Sequence, residues 1–173
     1  AYIGVFAGTF LIGLGSAYYH VILDNNSLFW DRLPMTIVFA ALFTVALAEF
    51  ISEGLARKLF IPLLILAVLS SLYWIYTESL QRGDLRLYVL VAFFPMLTIP
   101  ILVIFSRSCF SHAGVYLWLL AFYVLAKLSE HFDGEIYEVL GFISGHSLKH
   151  VFAATGLLLL IQNYKKRTGQ PVV

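Results

Sequence analysis

Six long runs of apolar residues, separated by short polar connectors, constrain this 173-residue chain more than any other feature. A membrane-spanning helix needs about 20 mostly apolar residues. The six runs cover residues 1–23, 33–51, 59–77, 87–105, 113–132 and 142–164. They lack the period-two alternation of a membrane β-barrel. The sequence therefore predicts an all-α, polytopic transmembrane helix bundle with six spans, packed as a single domain over residues 1–173.

The composition excludes an ordinary soluble domain. Hydrophobic residues make up 61% of the chain and charged residues only 12%, whereas a soluble domain carries about 25% charged residues. We therefore expect an integral membrane protein in contact with the lipid bilayer. The net charge of +1 gives no basic patch, so no nucleic-acid partner is expected. The single cysteine, Cys109, excludes an intrachain disulfide and a multi-cysteine metal site.

The distribution of lysine and arginine predicts the orientation, because cytoplasmic loops carry an excess of both. One side of the predicted bundle, which includes the C-terminal tail, carries Arg57, Lys58, Arg107, Lys165, Lys166 and Arg167. The opposite side carries Arg32, Arg82, Arg86 and Lys127. The C-terminus is therefore predicted to be cytoplasmic. No cleavable signal pattern is visible, and the chain opens on Ala1, already inside an apolar run, which is compatible with missing upstream sequence.

Small residues in span one predict a close helix contact. Gly4 and Gly8 form a G-x-x-x-G pattern, which lets two helices approach closely. We interpret this pattern as packing rather than as part of a functional site.

Ionisable residues inside membrane spans are costly and usually functional. Ser16 and His20 end span one, and His146 and His150 open span six, each pair four residues apart on one helix face. Asp31 lies in the 24–32 connector, at the start of span two. Because successive spans alternate in direction, all five residues are expected at similar depth, towards the exoplasmic face. Three histidines and a water would complete a catalytic zinc site.

Each of these residues also has a structural interpretation. His20 could be an interfacial histidine beside Tyr19, and Ser16 could be a packing serine. Asp31 could cap a helix that begins near Pro34.

A second polar group lies near the end of span five, where Lys127, Glu130 and Asp133 follow one another at three-residue steps. The group is either an internal salt-bridge ladder or an outer shell that orients the histidines or a lipid headgroup. Lys149, between the two histidines of span six, could pair with Glu130 or Asp133, or meet a polar headgroup.

These residues resemble the CREST superfamily of membrane hydrolases, and most closely bacterial-type members of its alkaline ceramidase branch. The resemblance rests on Ser16-x-x-x-His20, on Asp31 eleven residues after His20, and on His146-x-x-x-His150, in the stretches GSAYYH, WDRLPMT and SGHSLKH. It implies that His20, His146 and His150 hold zinc, that Asp31 acts on the zinc-bound water, and that Ser16 supports the site.

The chain departs from this family in one respect. Family members have seven spans, and the ceramidases carry an acidic calcium-binding segment before the first. The six spans visible here align with the second to the seventh. Calcium dependence is therefore not carried over to this chain.

The sequence and the resemblance together predict a zinc-dependent intramembrane hydrolase of lipid amide bonds. A ceramide-like N-acyl lipid would be the substrate, and zinc-bound water would attack its acyl carbonyl. The alternative is a non-enzymatic membrane receptor or lipid-binding protein with a structural zinc site. A haem carrier is disfavoured, because His146 and His150 on one helix cannot lie on opposite faces of one haem.

Overall fold

The computed structural model describes residues 1–169, and within that part of the chain the regular elements are seven helices. They are α1 (Tyr2–Val21), α2 (Asn25–Phe50), α3 (Glu53–Ser79), α4 (Arg86–Phe105), α5 (Val115–His131), α6 (Asp133–Leu140) and α7 (Gly145–Lys166). The all-α prediction is confirmed.

Several of the helices could cross a membrane. Helices α1 to α4 are each long and apolar enough to do so. Helices α5 and α6 would qualify together as one segment, but they are bent by 80° where they meet. Helix α7 falls outside this group, since His146, Lys149 and His150 make its first turns polar. The helices are consistent with a membrane protein, while the count of six spans stays a prediction.

Helix α2 begins at Asn25, eight residues before the predicted span. The Asp24 carboxylate accepts a hydrogen bond from the Ser27 backbone N–H at 2.7 Å, and the Ser27 hydroxyl accepts one from the Asp24 N–H at 3.2 Å. This reciprocal capping box starts the helix, and the bond from the Ser27 N–H lowers the pKa of Asp24. The interpretation of Asp31 as the cap of a helix near Pro34 is therefore wrong, because Asp24 is the cap.

The chain divides into two compact units, residues 1–102 and residues from 103 onward. In the first unit, α1 packs antiparallel against α2 through small residues. A Cβ at Gly4 would lie 3.2 Å from the Ala41 Cβ, and one at Gly8 would lie 2.6 Å from the Val38 Cγ2. Further along α1, Gly15 meets the backbone of α2. The packing role predicted for Gly4 and Gly8 is confirmed.

The remaining helices of the first unit, α3 and α4, also pack against α2. Ala40, Ala67 and Val91 bring α2, α3 and α4 together in a buried apolar cluster. Beside it, the buried Thr36 hydroxyl donates to the Ala67 carbonyl at 3.1 Å and lies 3.2 Å from the Ser71 hydroxyl. These contacts hold α2 against α3 and α4.

In the second unit, α5 and α7 run antiparallel. The hydroxyls of Tyr116 and Tyr164 lie 3.0 Å apart at one end of the pair. The rings of Phe122 and Phe152 pack halfway along, with centroids 6.3 Å apart. At the other end, Gly145 lies against the backbone of α5.

We expect Gly15→Ala to destabilise the protein. Its new Cβ would collide with the Trp30 carbonyl and approach the Asp31 Cα to 3.1 Å, and backbone atoms cannot rotate away. Overpacking of this kind costs about 1–3 kcal/mol. Thermal unfolding in detergent should therefore show a lower midpoint than for the wild type.

Gly13→Ala is the matched control, because no atom lies within 4 Å of a Cβ at that position. Alanine is a better helix former than glycine, so this variant should be at least as stable as the wild type. Equal midpoints for the two variants would contradict the close approach of α1 to α2.

Candidate metal and acid–base site

The first turn of α7 is fixed by two side chains. Ser144 is the N-cap residue, and its hydroxyl accepts from the Ser147 N–H at 3.2 Å. The Asp133 carboxylate, at the start of α6, accepts from the His146 N–H at 2.6 Å. Helix N-termini carry unpaired N–H groups and a partial positive charge, which both contacts satisfy. The backbone at His146 is thus held from two directions.

His146 and His150 converge one turn apart on α7. Their Nε2 atoms lie 3.2 Å apart, and their rings meet edge to face with centroids 5.0 Å apart. Two nitrogen atoms each about 2.1 Å from a tetrahedral zinc ion would lie about 3.4 Å apart. The observed separation therefore fits two ligands of one ion with little movement of either ring.

Glu130 on α5 joins two lysines. Its carboxylate lies 2.7 Å from the Lys127 ammonium on the same helix and 2.8 Å from the Lys149 ammonium on α7. The predicted ladder exists between Lys127 and Glu130, and Lys149 pairs with Glu130. Asp133 is not part of it, because its carboxylate binds the backbone of His146.

The same ion pair reaches the histidine pair. The Lys149 Nζ lies 3.4 Å from the His146 Nδ1, the ring nitrogen on the far side from His150. An ammonium group can only donate, so Nδ1 would be the acceptor in this contact. The Glu130–Lys149 pair therefore contacts the ring of His146. This contact also supports the interpretation of the charged group as an outer shell that orients the histidines.

Three predicted site residues lie in the first unit. Because Gly15 touches the backbone at Trp30 and Asp31, Ser16 and Asp31 lie at the same level on neighbouring helices. His20 lies one turn further along α1, is exposed, and packs its ring at a tilt against Tyr19, with centroids 5.9 Å apart.

The sequence predicted that Asp31 lies in the connector before span two. This prediction is wrong. Asp31 is part of α2, in a helix already started by the capping box at Asp24. Its carboxylate is therefore carried by a rigid element that packs against α1.

The structure thus brings together two groups of predicted residues. Ser16, His20 and Asp31 form one in the first unit, and His146 and His150 form the other in the second, with their charged neighbours. The role of His20 as a third ligand stays a prediction from its spacing and from the family resemblance.

One buried ionisable residue was missed in the sequence. Glu49, the only acidic residue in the predicted span two, is 3% exposed and accepts a hydrogen bond from the Tyr2 hydroxyl at 2.6 Å. An acid inside an apolar span was the signal that could have marked it. It lies at the opposite end of the α1–α2 pair from His20 and Asp31.

Comparisons with known proteins add no assignment. No protein-family model, no curated protein and no solved structure matches this chain. The resemblance to the CREST superfamily is carried by the quoted motifs and their spacing.

We expect Glu130→Gln to destabilise the protein more than Glu53→Gln does. Glu130 holds two lysines, one of which is partly buried, while Glu53 holds only Arg57 in an exposed pair on α3. Exposed pairs contribute about 0–1 kcal/mol, whereas a charge left without its partner in an apolar environment is costly. In thermal unfolding, the midpoint of Glu130→Gln should fall by about twice as much or more. A smaller fall would show that the cluster of Lys127, Glu130 and Lys149 does not stabilise the protein.

Proposed function

We propose that this protein is a zinc-dependent intramembrane hydrolase of lipid amide bonds, similar to the alkaline ceramidases. The observation that carries the proposal is the convergence of His146 and His150, whose Nε2 atoms lie 3.2 Å apart on α7. The family resemblance adds His20 as the third ligand and a ceramide-like N-acyl lipid as the substrate.

The donor set suits a catalytic zinc ion. Imidazole is a common zinc ligand, and three protein ligands leave one coordination position open, as in catalytic rather than structural sites. This preference favours the hydrolase over a receptor with a structural zinc ion. When bound, zinc lowers the pKa of water to about 7 and polarises a carbonyl oxygen, which supplies a nucleophile at neutral pH.

The residues of the first unit supply the acid–base chemistry in this proposal. Asp31 accepts the proton of the attacking water and then delivers it to the leaving amine. Ser16, at the same level on α1, donates a hydrogen bond to the developing oxyanion of the acyl group. Asp133 fixes the backbone of His146, and the Glu130–Lys149 pair positions its ring.

The first prediction of this proposal concerns metal content. The purified chain should hold about one equivalent of zinc, and His146→Ala, His150→Ala and His20→Ala should each lose it, because each removes one of three ligands. Metal analysis of the purified variants provides the measurement. His112→Ala is the control and should retain zinc. Full zinc content in both α7 variants would rule out the site.

The second prediction separates a general base from a ligand. Asp31→Asn keeps the shape of the side chain but cannot take a proton, so zinc should stay near the wild-type level while amide hydrolysis falls by about 10²–10⁴-fold. Release of labelled fatty acid from ceramide measures the rate.

Asp24→Asn is the control for this experiment, because asparagine caps helices as well as aspartate does. It should hydrolyse the lipid at the wild-type rate. Loss of zinc in Asp31→Asn would make Asp31 a ligand, and full activity would remove it from the mechanism. A wild-type protein with zinc but without turnover would favour the receptor.

The third prediction concerns orientation. The bias of lysine and arginine puts the C-terminus in the cytoplasm and the site towards the exoplasmic face. A reporter fused to the C-terminus, active only in the cytoplasm, should therefore be active. Activity of an exoplasmic reporter instead would invert the topology.

A further inference from the structure

An open pocket of about 750 Å³ lies in the first unit, where α3 ends and α4 begins. The polar residues that line it include Tyr73, Thr77, Arg82, Asp84 and Arg86. We propose that this pocket binds the phosphate group of a membrane-lipid headgroup, with Arg82 as its main cationic contact.

One wall of the pocket is built around Asp84. Its carboxylate accepts from the Tyr73 hydroxyl at 3.0 Å and from the Arg86 Nε and Nη2 at 2.9 and 2.6 Å. The Asp84 N–H donates to the Thr77 hydroxyl at 3.0 Å. The paired guanidinium of Arg86 holds the pKa of Asp84 well below its usual range. These hydrogen bonds define the conformation of this wall.

Of the two arginines that line the pocket, one is paired with a carboxylate and the other is not. Asp84 offsets Arg86, whereas Arg82 is exposed and has no ion pair within the described residues 1–169. Glu78, which precedes the turn, accepts a hydrogen bond from Asn25 at 3.0 Å. Among the residues that line the pocket, Arg82 is thus the cation without an acidic partner, while the Glu78 carboxylate keeps its negative charge beside Gly83 of the same turn.

The turn that carries Arg82 has a defined conformation. Gln81 and Gly83 both have positive φ angles, 58° and 57°, in the left-handed region. The Thr77 carbonyl accepts from the Arg82 N–H at 2.9 Å and from the Gly83 N–H at 3.3 Å. These bonds close the end of α3 and fix the backbone from which the arginine projects.

Aromatic residues around this end of the unit favour a lipid as the source of the phosphate. Trp30, Tyr73 and Tyr76 are 54%, 37% and 63% exposed, and exposed Trp and Tyr mark the level of the headgroups in membrane proteins. A planar guanidinium binds phosphate oxygens bidentately. At headgroup level, the phosphate groups of phospholipids are the abundant ligands with this chemistry.

Native mass spectrometry of the full chain in detergent tests the proposal, with phosphatidylglycerol as the probe. Arg82→Gln should weaken its binding by about tenfold or more, since hydrogen bonds to charged groups are stronger than those between neutral groups. Arg107→Gln, an exposed arginine outside the pocket, should bind as the wild type does. Diacylglycerol, which lacks the phosphate, should bind equally weakly to all three proteins.

Two results would overturn the proposal. Equal binding of phosphatidylglycerol by the wild type and Arg82→Gln would remove Arg82 from any lipid site. Displacement of the lipid by millimolar inorganic phosphate would show that the pocket takes free phosphate instead. Neither result depends on zinc or on amide hydrolysis, so this pocket can fail while the proposed function stands.

Discussion

Polar groups among apolar helices must find partners within the protein, because hydrocarbon offers none. Thr9, Thr44 and Thr155 each donate to the carbonyl four residues earlier in their own helix. Thr36 and Ser71 meet between two helices instead. Within the described residues, no buried side-chain nitrogen or oxygen lacks a hydrogen bond. Some polar residues are therefore satisfied within their own helix, whereas others, such as Thr36 and Ser71, tie two helices together.

The α5–α7 pair shows how packing and chemistry depend on each other. A side chain at Gly145 would collide with the α5 backbone, so glycine lets α7 begin in direct contact with α5. That contact brings Lys149 to Glu130 and the His146 N–H to Asp133. The groups that hold the two helices together are thus the groups that position the candidate ligand.

Much of the helical fold and part of the site could be predicted from the sequence. Long apolar runs predict helices, and a four-residue spacing suffices to predict that His146 and His150 converge. The start of α2 was missed because a hydropathy pattern detects lipid contact, whereas the Asp24–Ser27 capping box depends on hydrogen bonds. The bond from Tyr2 to Glu49 spans 47 residues, and no local pattern encodes it. Helix α6 was missed because eight mixed residues resemble a connector.

The early start of α2 has a consequence for the proposed base. Asp31 follows the capping residue Asp24 by seven residues, about two helical turns. Each residue added or removed between them would rotate the Asp31 carboxylate by about 100° around the helix axis relative to the Asp24 cap, and would shift it along the axis by about 1.5 Å. A flexible connector would absorb such a change, but a continuous helix transmits it. Homologous proteins that keep both the Asp24 cap and Asp31 would therefore vary the composition of this seven-residue interval but not its length.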